Sequence, residues 1–283
     1  MPIIDKLYLA VLTRDEDDAG SRSPLNVIVN IGGTDVVSHY VVYEPDFDIK
    51  RGNAGILPVA DTLEHPIQFN SDSLTDCSVR VAIRDDDTWI PEHVFLIGRT
   101  DPLSNEIVRW IPLAIEVDTD IKLSTDSDEG DVTMPIRHVQ SGNESTVIRR
   151  VLLLLRTAGD DNAGTNDPIK LEITAGGNLV LQGETSGGNA TSQDDTEQKS
   201  HNWYFFNVSN PFTKRQLMSN GGIRLGIDGK DAWLPEQVYV YGFDTAEGRP
   251  GEIVHLVSIT QWSLGWLSQD TTEGQEFVSL PVS

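Results

Sequence analysis

The segment TRDEDDAGSRSPLNVIV, residues 13–29, returns 144 residues later as TAGDDNAGTNDPIKLEI, residues 157–173. In both copies an acidic, glycine-containing phrase stands between two strongly apolar runs. A repeat at this spacing predicts two structural units of one fold rather than a single large domain.

The match continues beyond these two segments. The run RVAIRDDDTWIPEHVFLIG from Arg80 corresponds to RLGIDGKDAWLPEQVYVYG from Arg224, and VTMPI from Val132 matches VSLPV from Val278 with a shift of two residues. Positions that are identical in both halves include Thr13, Asp17, Ala19, Gly20, Pro24, Trp89, Pro91 and Glu92. We expect two homologous domains, residues 1–140 and 148–283, joined by a short polar segment.

Each half consists of short apolar runs that are rich in Val, Ile and Tyr and end at Gly, Asn, Asp or Pro. No run keeps a helical period for about 12 residues. Several short strands separated by turn signals are typical of an antiparallel sandwich. The sequence therefore predicts an all-β protein made of two antiparallel β-sandwich domains in tandem.

The charge of the chain limits the classes of partner that it can bind. The chain has 44 acidic and 21 basic residues, a net charge of −23, and one cysteine, Cys77. A phosphate backbone requires a basic surface, so we expect no nucleic-acid partner. No apolar run is long enough for a transmembrane segment, and MPIIDKLYLAVLT at the start lacks the features of a signal peptide. The location stays open between the cytoplasm, a particle and non-classical export.

The segment RTAGDDNAGTNDPIKLEI resembles the opening of a PLAT domain, the β-sandwich also found in lipoxygenases and some lipases. The later IRLGIDGKDAWLPEQVYVYG is similar to that family's second signature, which has an acidic turn followed by Trp and a strand. The second half is the closer match, because the first has AGSRS in place of AGTND and lacks the glycine in VRVAIRDDDTW. The resemblance implies a PLAT-like sandwich in each half, with about 40 further residues at the end of each.

The acidic phrases are candidates for calcium binding. Alternate loops of a sandwich lie at the same end, so the loop after the first strand and the loop before the tryptophan are expected to meet. Calcium takes six to eight oxygen ligands from carboxylates, amides and carbonyls on flexible loops, and the resemblance to PLAT domains implies such a site. The alternative is that these residues form Asx-turns and face water. The candidate ligands are Asp160, Asp161, Asn162, Asp167, Asp228 and Asp231 in the second half, and Glu16, Asp17, Asp18, Asp85, Asp86 and Asp87 in the first.

A further acidic segment, STDSDEGD with Asp126, Asp128 and Asp131, resembles part of a calcium loop without the full twelve-residue pattern. The repeated Trp89 and Trp233 are expected to pack in the interior. The cluster NWYFF, with Trp203 and Tyr204, is a candidate for surface contact. Trp262 and Trp266 are four residues apart, so in a strand they would form an aromatic strip on one face, with simple packing as the alternative.

Catalytic signatures are missing from the sequence. It contains no G-x-S-x-G elbow, no H-E-x-x-H, no P-loop and no dinucleotide fingerprint, and its six histidines do not pair at metal-ligand spacing. We expect a non-enzymatic module that recognises a protein, lipid or glycan surface, with calcium as a possible cofactor. The alternative is a structural subunit of a filament, a tail-like particle or a capsid-associated assembly, which reaches its place by self-assembly.

Overall fold

The chain forms two compact units, Met1–Gln140 and Ser141–Ser283. The computed structural model describes residues 3–21, 23–31, 33–41, 54–60, 67–68, 77–84, 87–100, 110–126, 128–185, 201–244 and 251–283. Almost all regular structure in these residues is β-strand, and every strand pairing within the sheets is antiparallel. The all-β prediction is confirmed.

The first unit has its strands in one continuous sheet of order β3-β2-β6-β11-β9-β8-β1-β4, with β5 paired to β1 and with β7 and β10 paired separately. Strand β11 joins the two halves of this sheet, because Ile136 pairs with Val79 of β6 while His138 pairs with Ala114 of β9. The strands are β1 (Ile3–Thr13), β2 (Leu25–Ile31), β3 (Thr34–Val41), β4 (Ala54–Ala60), β5 (Ile67–Gln68), β6 (Cys77–Ile83), β7 (Thr88–Trp89), β8 (Pro91–Thr100), β9 (Trp110–Val117), β10 (Leu123–Ser124) and β11 (Thr133–His138).

The second unit has two separate sheets, one of order β15-β14-β17-β20 and one of order β12-β19-β18-β13-β16. Its strands are β13 (Val147–Thr157), β14 (Ile169–Ala175), β15 (Asn178–Glu184), β16 (His201–Thr213), β17 (Gly222–Ile227), β18 (Pro235–Asp244), β19 (Glu252–Ile259) and β20 (Phe277–Leu280), and the two-residue β12 (Gln140–Ser141) spans the boundary between the units. Side chains of both sheets, including Val151, Leu153, Leu171 and Leu225, meet in one buried core, as in a β-sandwich.

The two units use the same strand registers at the spacing of 144. Strand β1 corresponds to β13, β2 to β14 and β8 to β18 with identical bounds at this spacing. The last strands, β11 and β20, also correspond at the spacing of 144. Met134 of β11 pairs with Val81, and the residue 144 positions later, Val278 of β20, pairs with Leu225. The two-residue shift between VTMPI and VSLPV was therefore wrong, because strand pairing rather than the shared proline sets the register. The common ancestry of the units stays a prediction.

Strands of each unit are buried on both faces. In β13 the core-facing Val151 and Leu153 alternate with Leu152 and Leu154, and all four are buried. In β8 the core-facing Leu96 lies between Phe95 and Ile97, which are also fully buried. Continuous apolar runs such as VLLLL are expected where a sheet is covered on both sides.

A short helix, α1 (Lys214–Asn220), follows β16. Its N-terminus is a capping box, in which the Gln216 N–H donates to Thr213 Oγ1 (3.2 Å) and the Thr213 N–H donates to Gln216 Oε1 (2.9 Å). Leu217 is its buried residue. In the part of the chain that the structure describes, no helix is long and apolar enough to cross a membrane.

Candidate functional site

A buried tryptophan holds the loops together at one end of each unit. Trp89 and Trp233 are fully buried, and their indole N–H groups donate to Thr13 Oγ1 (3.0 Å) and Thr157 Oγ1 (3.1 Å). Trp89 pairs with Leu123, as Trp233 pairs with Leu267. Each tryptophan thus connects the last residue of its unit's first long strand, Thr13 or Thr157, with its own loop and with the segment that contains Leu123 or Leu267. The prediction that both tryptophans pack in the interior is confirmed.

A hydroxyl group links the first loop to the tryptophan loop in both units. In the first unit Ser21 Oγ donates to Asp87 Oδ2 (2.9 Å) and accepts from the Ser23 N–H (3.0 Å). In the second unit Thr165 Oγ1 donates to the Asp231 carbonyl (3.1 Å) and accepts from the Asp167 N–H (3.0 Å). We call this arrangement the hydroxyl clasp. It gives Asp87 and Asp231 a structural role at the point where the two loops meet.

Two predicted calcium ligands, Asp167 and Asp231, do come together in the second unit. The Asp231 N–H donates to Asp167 Oδ2 (2.7 Å), and the Asn166 N–H donates to Asp231 Oδ2 (3.2 Å). The Asp167 carboxylate lies so close to Gly229 that a Cβ atom there would overlap it. In the first unit Ser23 takes the position of Asp167, so the hydrogen bond between the Asp231 N–H and the Asp167 carboxylate belongs to the second unit.

Asp228, a third predicted ligand, is already paired with a cation. Its Oδ1 accepts from Lys170 Nζ (2.6 Å) and from Gln269 Nε2 (2.9 Å). The hydrogen bond and charge of Lys170, with the Gln269 amide, lower the pKa of Asp228, and the same hydrogen bond raises the pKa of Lys170. An ion at this carboxylate would have to compete with Lys170.

The other predicted ligands in the described part of the loops lie on exposed turns. The Asp160 carbonyl accepts from the Ala163 N–H (3.1 Å), and the Glu16 carbonyl accepts from the Ala19 N–H (3.3 Å). Asp18 and Asn162 have positive φ angles of 59° and 62°, a conformation that Asp and Asn tolerate better than most residues. Asp17 and Asp161 are exposed beside them. Asp85 and Asp86 lie outside the described residues.

The STDSDEGD segment has a structural counterpart in SQDTTEGQ, residues 268–275. Ser124 Oγ accepts from the Asp126 N–H as Ser268 Oγ accepts from the Asp270 N–H, both at 3.0 Å. Asp126 Oδ1 accepts from the Asp128 N–H (3.0 Å), as Asp270 Oδ1 accepts from the Thr272 N–H (2.9 Å). Thr272 and Gln275 replace Asp128 and Asp131. The shared geometry therefore depends on the first serine and aspartate and not on all the acids.

A cluster that the sequence reasoning missed consists of Glu92, His93 and Asp118 in the first unit. Among the described residues it is the one group of three metal-ligating side chains whose ligand atoms lie within 4.8 Å of one another, and it includes none of the predicted aspartates. His93 Nε2 is 3.9 Å from Glu92 Oε1, and His93 Nδ1 is 4.0 Å from Asp118 Oδ1. Pairing of β8 with β9 sets His93 opposite Val117, next to Asp118.

The electrostatics of this cluster follow from its burial. The His93 side chain is 6% exposed, against 32% for Glu92 and 53% for Asp118. Burial raises the pKa of Glu92, and the Asp118 carboxylate raises it further, against the opposing charge of Arg14 and with a smaller contribution from Asp15. The Arg14 guanidinium donates to Asp120 Oδ1 (3.0 Å) and to the Thr119 carbonyl. The carboxylates of Glu92, Asp118 and Asp15 thus outnumber the one cation that acts on Glu92, Arg14.

The aromatic candidates for surface contact divide into two pairs. Trp203 and Tyr204 are 1% and 2% exposed, so their prediction as surface-contact residues was wrong. Trp262 and Trp266 lie beyond the end of β19 at Ile259 and not in a strand, so the argument that they share one strand face was also wrong. Trp262 is half-buried, packs on the core of its unit and donates its indole N–H to the Gly265 carbonyl (2.7 Å).

Comparison with known proteins adds no relative: no protein-family model matches the chain, and no curated protein matches it in sequence.

Proposed function

We propose that the chain is a non-catalytic module of two PLAT-like β-sandwiches that recognises a surface through the loop end of its second unit, with calcium bound there. The observation that carries this proposal is the contact between Asp167 and Asp231, whose loops are separated by more than sixty residues of chain. Two aspartates from different loops would offer carboxylate oxygens, which are the type of ligand that calcium requires.

Calcium would relieve the repulsion between these carboxylates. Asp167 and Asp231 each accept one backbone N–H in the structure, and a divalent ion between their outer oxygens would replace repulsion by attraction. Asp160 and Asp161 are on the same first loop and exposed, so they are further candidate ligands. Such binding to the folded state alone would stabilise the protein by roughly 2.7 kcal/mol at a hundredfold excess over the Kd.

The rival proposal is a self-assembling structural subunit. The described surface gives it limited support, because the large apolar side chains exposed there are Val132, Leu179 and Met218, and obligate interfaces are rich in apolar contacts. Sedimentation of the purified chain with and without calcium tests this rival. A monomer in both conditions favours the binding module, and assembly in both favours the subunit.

The calcium proposal is tested by thermal unfolding with calcium, with magnesium and with chelator. We expect calcium to raise the Tm by several degrees and magnesium to raise it much less, since magnesium requires a tighter octahedral geometry. The pair Asp161→Ala with Asp231→Ala should abolish the calcium shift, and the matched pair Asp17→Ala with Asp87→Ala should leave most of it. An unchanged Tm in all three conditions would remove calcium from the proposal.

Surface recognition is tested with vesicles. At a net charge of −23 the chain should not bind anionic phosphatidylserine vesicles without calcium, because the negative surface attracts basic segments. Calcium-dependent binding that the Asp161→Ala, Asp231→Ala pair abolishes would identify lipid as the surface. If the chain does not bind vesicles but calcium still raises its Tm, a protein or a glycan remains as the recognised surface.

A further inference from the structure

Independently of the calcium proposal, we infer that Glu92, His93 and Asp118 form a site for a divalent transition-metal ion of the zinc class in the first unit. One imidazole and two carboxylates converge there, with ligand atoms within 4.8 Å of one another. Imidazole nitrogen and carboxylate oxygen are ligands that Zn²⁺ uses, whereas calcium sites consist of oxygen atoms. The site is therefore chemically different from the aspartates of the second unit.

The backbone orients the histidine for this role. His93 Nδ1 lies 2.8 Å from the Glu92 carbonyl oxygen and 3.2 Å from the Asp118 nitrogen. The Asp118 N–H donates to Nδ1 in the tautomer that carries the proton on Nε2, whereas Nδ1 donates to the Glu92 carbonyl in the other tautomer. An ion bound at Nε2 would select the second tautomer, with the proton on Nδ1. A metal-binding histidine commonly donates its other ring N–H to a carbonyl in this way. Nε2, which faces Glu92 Oε1 at 3.9 Å, is then the ligand atom.

The distance from Nε2 to Glu92 Oε1 is close to that in an occupied site, whereas the 4.0 Å distance of Asp118 Oδ1 is to Nδ1. Two ligands about 2.1 Å from a tetrahedral zinc ion are about 3.4 Å apart, so the 3.9 Å separation of Nε2 and Glu92 Oε1 must shorten by about 0.5 Å. The Glu92 and Asp118 side chains, which are partly exposed, would have to rotate toward Nε2 of His93, which is held by burial. Their exposure also lets an ion enter and lets water complete its coordination.

Electrostatics favours a cation at this position. The Glu92 and Asp118 carboxylates repel each other, and the guanidinium whose charge acts on Glu92, that of Arg14, is hydrogen-bonded to Asp120 and the Thr119 carbonyl. A divalent ion between the two carboxylates would offset that repulsion directly.

The second unit lacks this site at the equivalent strand positions. Gln237 occupies the position of His93, because it pairs with Arg156 on the neighbouring strand as His93 pairs with Leu12. Glu236 occupies the position of Glu92. Gln237 is buried as His93 is, and the segment 260–262 after β19 reads TQW, without an acid. The fold thus accommodates a neutral amide where the first unit has the imidazole, which provides a substitution with a natural precedent.

The test is titration calorimetry of the full chain with ZnCl₂ in a non-coordinating buffer. We expect one ion to bind per chain, His93→Gln to abolish this binding, and Asp118→Asn to weaken it at least about tenfold. Asparagine is suited to position 118 because the φ angle there is +49°. His138→Gln is the control for adventitious histidine binding and should leave the isotherm unchanged, as should Asp161→Ala with Asp231→Ala.

A second measurement covers the case in which His93→Gln fails to fold. In the wild-type chain, zinc should shift the ¹⁵N resonance of His93 Nε2 more than that of any other imidazole nitrogen. The inference is overturned if the wild-type chain binds no zinc, if His93→Gln binds it as tightly, or if another histidine shows the largest shift. Loss of the calcium response alone would leave this zinc site standing, so the two proposals fail separately.

Discussion

The two units have the same framework and differ in the side chains that could bind an ion. Both have a buried tryptophan bonded to a threonine, a hydroxyl clasp, a left-handed residue in the first loop and a serine-capped turn. Among the residues that the structure describes, a histidine in a cluster with two acids occurs in the first unit only, and a contact like that of Asp167 with Asp231 occurs in the second only. Recurring residues therefore hold the loops in place, and binding chemistry is to be sought among the residues that differ.

The sheets differ as well. Strand β11 extends past its partner β6 and pairs with β9, whereas β20 ends at Leu280 and stays with β17. The first unit thus has one continuous sheet where the second has two sheets. The difference arises at the end of the last strand of each unit, β11 or β20, beyond the residues that pair with β6 or β17.

The largest effect is expected from the tryptophans. Trp89→Ala and Trp233→Ala each remove a fully buried indole and should lower the free energy of unfolding of their own unit by about 3–5 kcal/mol. Urea unfolding with hydrogen exchange resolved by unit measures this. If one substitution costs little, the two tryptophans do not have equivalent roles.

A smaller loss is expected when only the partner of the indole is removed. Thr13→Val and Thr157→Val keep the side-chain volume but leave a buried N–H group without its acceptor. We expect each to lower the free energy of unfolding by about 1–3 kcal/mol. Unequal losses in the two units, measured as above, would show that the shared hydrogen bond does not have the same strength in both.

The hydroxyl clasp should contribute less. Ser21→Ala and Thr165→Val remove a buried hydroxyl that both accepts and donates, and each should cost about 1 kcal/mol. The second-unit variant should also weaken the calcium response, because the clasp positions Asp231. A calcium shift equal to that of wild type in Thr165→Val would separate the clasp from ion binding.

The smallest effect concerns pH and is specific to the first unit. The pKa of Glu92 is raised above its ordinary value of 4.5 by burial and by Asp118, so the stabilisation from its protonated form is complete below that value and is lost as pH rises through the raised pKa. Glu92→Gln should therefore increase stability at neutral pH relative to wild type. Unfolding measured between acid and neutral pH with chelator present tests this, and Asp118→Asn should give part of the same gain.

Several features of the fold could be predicted because they depend on local pattern. Short runs rich in β-branched residues, bounded by Gly, Asn and Asp, predicted the strands, and the burial of Trp89 and Trp233 followed from their recurrence. A signal for the serine-capped turn was also present, since Ser124, Asp126, Glu129 and Gly130 recur as Ser268, Asp270, Glu273 and Gly274. It was missed because the segment was compared with a calcium loop and not with the other half.

Other features depended on contacts that the sequence does not show. Trp203 and Tyr204 are adjacent in a strand and point to opposite faces, so their burial required both faces of the sheet to be covered. Trp262 and Trp266 resembled an aromatic strip only while β19 was assumed to continue past Ile259. The end of a strand depends on where its partner ends, which is a tertiary property.

The sequence by itself determined the all-β class and the spacing of 144 at which the strands recur, because these depend on the alternation and composition of neighbouring residues. Only the tertiary structure decided which acids meet. Asp167 approaches Asp231, Asp228 pairs with Lys170, and His93 comes beside Asp118. Each pair is separated by 25 or more residues, and its distance is set by strand register and loop geometry, which a one-residue shift would change for every side chain on the strand.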